Sequence, residues 1–173
     1  MILKSKTIKL RFVNEDDAEF ILSLRTNNTY NKFLSHVNND IIQQKKWIVE
    51  YKKKEKNNEE FYFIIEKLDN TPCGTVRIYD IQDNSFSWGS WILNENKTRT
   101  AAIESALLVY IFGFEKKHFT HCHFEVMKEN EKVISFHKKF NARKVDEDKH
   151  HYFYEIEPQN IIDIKNKFIN FIK

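Results

Sequence analysis

The sequence predicts a mixed α/β domain spanning residues 1–173: a central, twisted, mostly antiparallel sheet of about seven strands, flanked by helices. Three observations predict it. In the first half, strand-like apolar runs follow one another across short turn-like breaks, the pattern of antiparallel hairpins. Strand–helix–strand units in the second half call for a parallel pair. No repeat, linker-like tract or composition shift divides the chain, and only 3 Gly and 2 Pro punctuate it.

The elements follow in order. TIKLRFV (7–13) alternates Ile8, Leu10 and Phe12 against polar neighbours, as a strand does. Asn14 then caps a helix whose first turn, Glu15-Asp16-Asp17, is acidic as the helix dipole favours, with Ala18, Ile21 and Leu24 at helical spacing. After a polar loop containing Phe33 and Leu34, Asp40 caps a second helix. It carries Ile41, Trp47, Ile48 and Tyr51 and ends in KKKEKNNEE. FYFIIEK (61–67), CGTVRIYD (73–80) and SFSWGSWIL (85–93) read as successive strands separated by the turn residues of DNTP and QDN. A long apolar helix over 100–117, a strand THCHFEVM (120–127), a helix over 130–140 and a strand pair near 143–147 and 151–157 follow. Pro158 opens a final amphipathic helix with Ile161, Ile164, Phe168 and Ile172 on one face.

Bulk properties exclude several classes. With 41% hydrophobic and 14% aromatic residues, the chain is too apolar for disorder. Its 28 basic and 25 acidic residues are interspersed and leave a net charge of +3, which lends little support to nucleic-acid binding but suits an anionic small molecule. KKKEK (52–56) reads as solvent-exposed charge at a helix end. Cys73 and Cys122 lie far apart without a CxxC pair, as reduced thiols do. The N-terminus lacks the apolar stretch of a signal peptide, and no apolar run is long enough to span a membrane. A cytoplasmic location is expected.

The stretch NENKTRTAAIESALLVYIF, which begins at Asn94, follows a strand with a loop and a helix start, the arrangement that offers free N–H groups and the positive helix end to a phosphate. The loop has no glycine. Taken alone, Lys97, Thr98, Arg99 and Thr100 read as a capped helix end with solvated cations. The flanking order of elements turns the reading towards a phosphate cradle, in which Thr98 and Thr100 add hydroxyl donors and Lys97 and Arg99 add charge.

That element order, with a long helix after the fourth strand, resembles the GNAT superfamily of acyl-CoA-dependent N-acetyltransferases. The nearer resemblance is to its ribosomal-protein and bacterial aminosugar acetyltransferases, from about residue 7 to 145. The superfamily's loop pattern, Q/R-x-x-G-x-G/A, falls on Lys97, Thr98, Arg99, Thr100, Ala101 and Ala102, with the subgroup's Glu at Glu104. Thr100 stands where the first glycine usually does. FEVMKENEKVISFHKKFNA (124–142) resembles E-V-x-x-x-N-x-x-A-x-x-x-Y-x-K-x-G-F, with Lys139 on the common Lys and Asn141-Ala142 in place of Gly-Phe.

The resemblance implies acetyl-CoA as co-substrate, bound through its pyrophosphate at residues 97–102 and its arm at Asn130. The backbone of the fourth strand at Trp91, Ile92 and Leu93 would hold pantetheine where that strand splays from the fifth. Gly89, a lone strand glycine, marks a bulge there or the close approach of a bulky neighbour. Glu125 matches the general base of some ribosomal-protein acetyltransferases, and His137 takes the place of the general-acid Tyr. The chemistry needs both, because an amine attacks only when unprotonated and the leaving thiolate needs a proton near its sulfur. His137 would act protonated, with activity falling above its pKa, or as a neutral N–H donor that blunts that fall.

For the acceptor, Phe33 and His36 in the loop between the first two helices, Tyr79 and Asp80 at the third strand's end, and Trp88 are candidate contacts. His123 shares a strand face with Glu125 and is a reserve candidate for base or substrate contact, whereas Cys122 points away, so His121, Cys122 and His123 make no three-ligand metal site. The acceptor implied is a small primary amine on a nucleotide-linked amino-deoxysugar of surface glycans. A peptide N-terminus or a non-catalytic acyl-CoA-binding module are the rivals. A homodimer is common in the family; nucleic acid, membrane and metal partners are not expected.

Overall fold

A computed structural model describes residues 1–171, so the reading of Ile172 lies outside the described residues. The strands are β1 (Ile2–Lys4), β2 (Ile8–Phe12), β3 (Phe61–Lys67), β4 (Pro72–Gln82), β5 (Ser85–Leu93), β6 (His121–Met127), β7 (Arg143–Glu147) and β8 (His151–Ile156). The α-helices are α1 (Ala18–Arg25), α2 (Ile41–Lys56), α3 (Ala101–Tyr110), α4 (Glu131–Lys139) and α5 (Pro158–Lys167). The strands form one sheet in the order β1-β2-β3-β4-β5-β6-β8-β7, with β5–β6 as its one parallel pair.

The mixed, mostly antiparallel sheet is as predicted, with one strand more than expected. That strand, β1, is three residues long and alternates too briefly to be read. The helix expected over 100–117 stops being α-helical at Tyr110 and continues as a π-turn over Ile111–Lys116. The acidic turn after Asn14 is 3-10 rather than α: the Asn14 side chain accepts from the Asp16 amide, and the Asp17 carboxylate from the Asn14 amide. Asp40 caps α2 as read, its carboxylate accepting from the amides of Ile42 and Gln43. No described helix is long and apolar enough to cross a membrane.

FYFIIEK shows why the run is apolar throughout. Phe61, Phe63 and Ile65 join one core with α3 and α5, while Tyr62 and Ile64 join another with Ile21 of α1 and Ile48 and Tyr51 of α2. Both faces of the strand are therefore covered, and every position but the last is buried. Ile161, Ile164 and Phe168 face the first core as expected.

At the end of α4, Asn141 adopts φ 58°, the left-handed region. Its amide donates to Lys138 O, and the next amide, of Ala142, donates back to His137 O (3.1 Å each). This is where the family pattern has glycine, and asparagine is the residue that best replaces glycine there.

Candidate active site

Strands β5 and β6 pair only through Ser85↔His121 and Phe86↔Cys122. Beyond that they diverge, because a bulge bends β5: Ser90 and Trp91 together oppose Val76 of β4, and Ser90 takes φ 47°. The backbone between the two strands is thereby released from the ladder. The left-handed residue is Ser90 and not the neighbouring Gly89. The glycine serves a different need, since a Cβ on it would meet the Tyr79 hydroxyl oxygen at 2.7 Å.

The divergence opens a cleft of about 930 Å³. Its walls bring together Glu125 and His137 with Trp88, Trp91, Ile92, Leu93, Asn130, Phe33 and Tyr79, residues that separate strands, helix α4 and two loops contribute. Asn130 heads α4, yet its side chain does not cap the helix. Glu125 projects from the exposed face of β6. Burial pushes the Tyr79 phenol above its usual range, with the Glu125 charge adding to the effect.

His137 is far from a surface residue. It is 5% exposed, its ring tilted against the Phe124 ring at 4.2 Å and edge-on to Trp88, and its Nδ1 is buried without a partner. Burial lowers its pKa to about 3. Burial therefore works against a protonated imidazole at neutral pH, the first of the two modes expected of it, and favours the neutral one. Its spacing carried the signal: Ile134, His137 and Phe140 share one helical face, and all three are buried.

The loop before α3 has no residue in the left-handed region, and Thr100 sits at φ −104°. Among the described residues, the amides of Thr98, Arg99, Thr100 and Ala102 donate to no backbone acceptor. Lys97 and Arg99 are exposed beside them. The threonine hydroxyls are arranged differently from expectation. Thr100 Oγ1 and Thr7 Oγ1 both donate to the Glu104 carboxylate, so the 2.7 Å contact between Thr98 and Thr7 must use the Thr98 proton. Neither hydroxyl proton is left for a phosphate.

Glu104, fully buried, also accepts from Ser5 Oγ and the Thr7 amide. Burial pushes its carboxyl up, and these donors outweigh that, so its pKa lies below the usual range. Glu104 thus ties the start of α3 to the β1–β2 turn.

Three other predicted contacts lie elsewhere. His36 lines a separate cavity beneath the α1–α2 loop. Asp80 and His123 pair with each other, Nε2 to Oδ2 at 3.0 Å, while His123 Nδ1 meets Ser85 Oγ at 2.5 Å. Neither Asp80 nor His123 lines the cleft. Sequence reading missed Tyr30, whose hydroxyl donates to Glu95 at 2.5 Å, and also Ser90, Val133 and His151, all lining the cleft. Nothing in their local pattern distinguishes them.

The model of the acetyltransferase (GNAT) domain matches residues 7–143. Among solved structures, apo FdhC, a nucleotide-linked sugar GNAT, is 48% identical with a TM-score of 0.93, over 100% of this chain and 99% of that one. The ribosomal-protein-S5-alanine acetyltransferase of Vibrio fischeri is 16% identical with a TM-score of 0.78, over 91% and 96%. A GNAT-family acetyltransferase of Bacillus anthracis is 14% identical with a TM-score of 0.77, over 92% and 99%. The last two identities speak for the fold alone. No curated protein sequence matches. The matched region runs from the first long strand through both walls of the cleft, and the chain belongs to the GNAT acetyltransferase family.

Proposed function

We propose that this enzyme acetylates the amino group of a nucleotide-linked amino-deoxysugar, the class of building block used for surface glycans. The observation that carries the reading is the cleft itself, which holds a carboxylate on β6 and a buried imidazole on α4 between the diverging strands. Full-length likeness to a nucleotide-linked sugar GNAT at 48% identity supports the choice of acceptor.

The residues fit acetyl-CoA. Unpaired amides at the start of α3 offer donors and the positive helix end to its pyrophosphate, with Lys97 and Arg99 adding charge. The backbone of Trp91, Ile92 and Leu93 on the side that β6 leaves, and the Asn130 side-chain amide, which does not cap α4, would hold the pantetheine arm. Once bound, acetyl-CoA supplies the acetyl group as a thioester.

Glu125, as base, takes the proton that the amine must lose, directly or through a water. His137 is neutral and has one N–H. Placing that proton on Nε2 leaves only a lone pair at the sealed Nδ1, and a buried unused acceptor is better tolerated than a buried unused donor. The Nε2–H then donates towards the leaving sulfur. Phe124, Trp88 and Phe136 fix the ring's plane and exclude water from one side.

The test is acetyl-CoA consumption with nucleotide-linked amino sugars, the same sugars freed of nucleotide, and peptides with free N-termini. Turnover is expected with the first group alone, and Glu125→Gln should lower kcat by about 10²-fold or more. Turnover of peptides alone would overturn the acceptor. An unchanged rate in Glu125→Gln would remove Glu125 as base.

A further inference from the structure

Beneath the α1–α2 loop lies a second cavity, of about 420 Å³, that shares Ser35 with the cleft. Arg25, the last residue of α1, lines it and is 8% exposed. One terminal nitrogen of its guanidinium donates to the carbonyl and the hydroxyl of Ser35, both at 2.8 Å. Its Nε is buried with no partner, and no carboxylate pairs with it among the described residues. Arg77, the other guanidinium in the wall, is satisfied by Glu60 at 2.7 Å and by the Tyr51 hydroxyl. The remaining wall includes His36, Gln43, Gln44 and Trp47, and among the described residues no Asp or Glu lines the cavity.

A buried cation without a counter-ion is costly, and a fold that keeps one beside open space is organised for an anion. The guanidinium fork suits phosphate oxygens, and side-chain amides suit the edge of a base. Gln43 is exposed at the rim and Gln44 is buried in the wall. An arginine in the last turn of a helix ordinarily reads as a partner of the helix dipole, so the sequence pattern alone does not reveal this one.

We infer that this cavity binds the nucleoside diphosphate of the acceptor, with Arg25 on the phosphates, while the amino sugar reaches past Ser35 into the cleft. The inference rests on the acceptor class proposed above. It assigns Arg25 a specificity role: it positions the acceptor and takes no part in the chemistry at the amine.

The experiment is titration calorimetry with uridine diphosphate and thymidine diphosphate, with uridine and inorganic pyrophosphate as controls, in the presence of saturating coenzyme A. Wild-type protein, Arg25→Gln and Gln43→Glu are compared, the last placing a carboxylate on an exposed rim residue where folding is not at stake. At least one nucleoside diphosphate should bind while coenzyme A is bound, more tightly than uridine or pyrophosphate. Each substitution should weaken it at least tenfold, with acetyl-CoA affinity held within twofold. Absence of diphosphate binding to the wild type, or unchanged binding in both variants, overturns the assignment. Equal binding of pyrophosphate and nucleoside diphosphate would mark a free-phosphate site and overturn its link to the acceptor.

Turnover separates the two claims. If a nucleotide-linked amino sugar is acetylated with the same KM in both variants, the cavity assignment fails and the proposed function stands. If the diphosphate binds through Arg25 but no nucleotide-linked amine is acetylated, the phosphate site stands and the proposed function fails.

Discussion

The family pattern places glycine at two positions where this chain has none, and the two substitutions solve different problems. At the start of α3, Thr100 occupies the glycine position with an ordinary φ of −104°. At the end of α4, Asn141 occupies it with φ 58°. The first region offers unpaired amides and a helix end, whose pull on a phosphate does not depend on the side chain. The second needs a left-handed turn, which only glycine or a small polar residue adopts cheaply. A missing glycine therefore has meaning only once the backbone angle is known. The second turn also reaches the cleft, since two amides of the turn, those of Phe140 and Ala142, converge on the carbonyl of His137, which lines it.

The sharpest way to break the comparison is through Glu104, which holds the first region in place. Glu104→Ala leaves the hydroxyls of Ser5, Thr7 and Thr100 and the Thr7 amide without their acceptor. A loss of about 3–5 kcal/mol in denaturant unfolding is expected, with weakened acetyl-CoA binding. A loss below about 1 kcal/mol would mean that the loop holds itself.

Next comes the acid limb at His137. Its folded pKa of about 3 lies below the unfolded value, so the unfolded state binds the extra proton. Stability is then greatest above about pH 6.5 and falls as pH drops towards 3, by about 3 kcal/mol at pH 4 from this residue. His137→Phe should remove that part of the decline. An unchanged decline would contradict the neutral, sealed ring.

The glycine positions themselves give smaller effects of opposite kind. Asn141→Val should destabilise by about 1–2 kcal/mol, whereas Asn141→Gly stays within a few tenths. Thr100→Gly should destabilise by about 1 kcal/mol, through lost backbone restriction and one lost hydrogen bond to Glu104. It should leave acetyl-CoA affinity within about twofold. A tenfold gain in affinity would show that the phosphate needed the closer approach glycine allows.

These contrasts also mark what the sequence made legible. Local pattern exposed the hairpins, the caps at Asn14 and Asp40 and FYFIIEK as a strand, because each is set by neighbours a few residues apart. The resemblance of FEVMKENEKVISFHKKFNA to the family's pattern picked out Glu125, Asn130 and His137, and the fold brings them to one cleft because a strand and the helix after it keep a fixed relation. What stayed hidden depends on distant partners. The Glu104 network draws on Ser5 and Thr7 from the β1–β2 turn, and Arg25 acquires its meaning from Ser35 and a cavity that the fold closes over it. The bulge fell on Ser90 and Trp91 and not on Gly89, where a Cβ would meet the Tyr79 hydroxyl.

The central claim is that a glycine-free loop holds the coenzyme's pyrophosphate. Thermal unfolding with about 1 mM acetyl-CoA, compared with about 1 mM acetyl-pantetheine, which has no pyrophosphate, tests it most directly. A Kd near 10 μM for acetyl-CoA stabilises by roughly 2.7 kcal/mol and raises the midpoint by roughly 5–10 °C, while acetyl-pantetheine should leave it nearly unchanged. Equal shifts with the two ligands, or none with either, would mean that residues 97–102 are a helix start and nothing more.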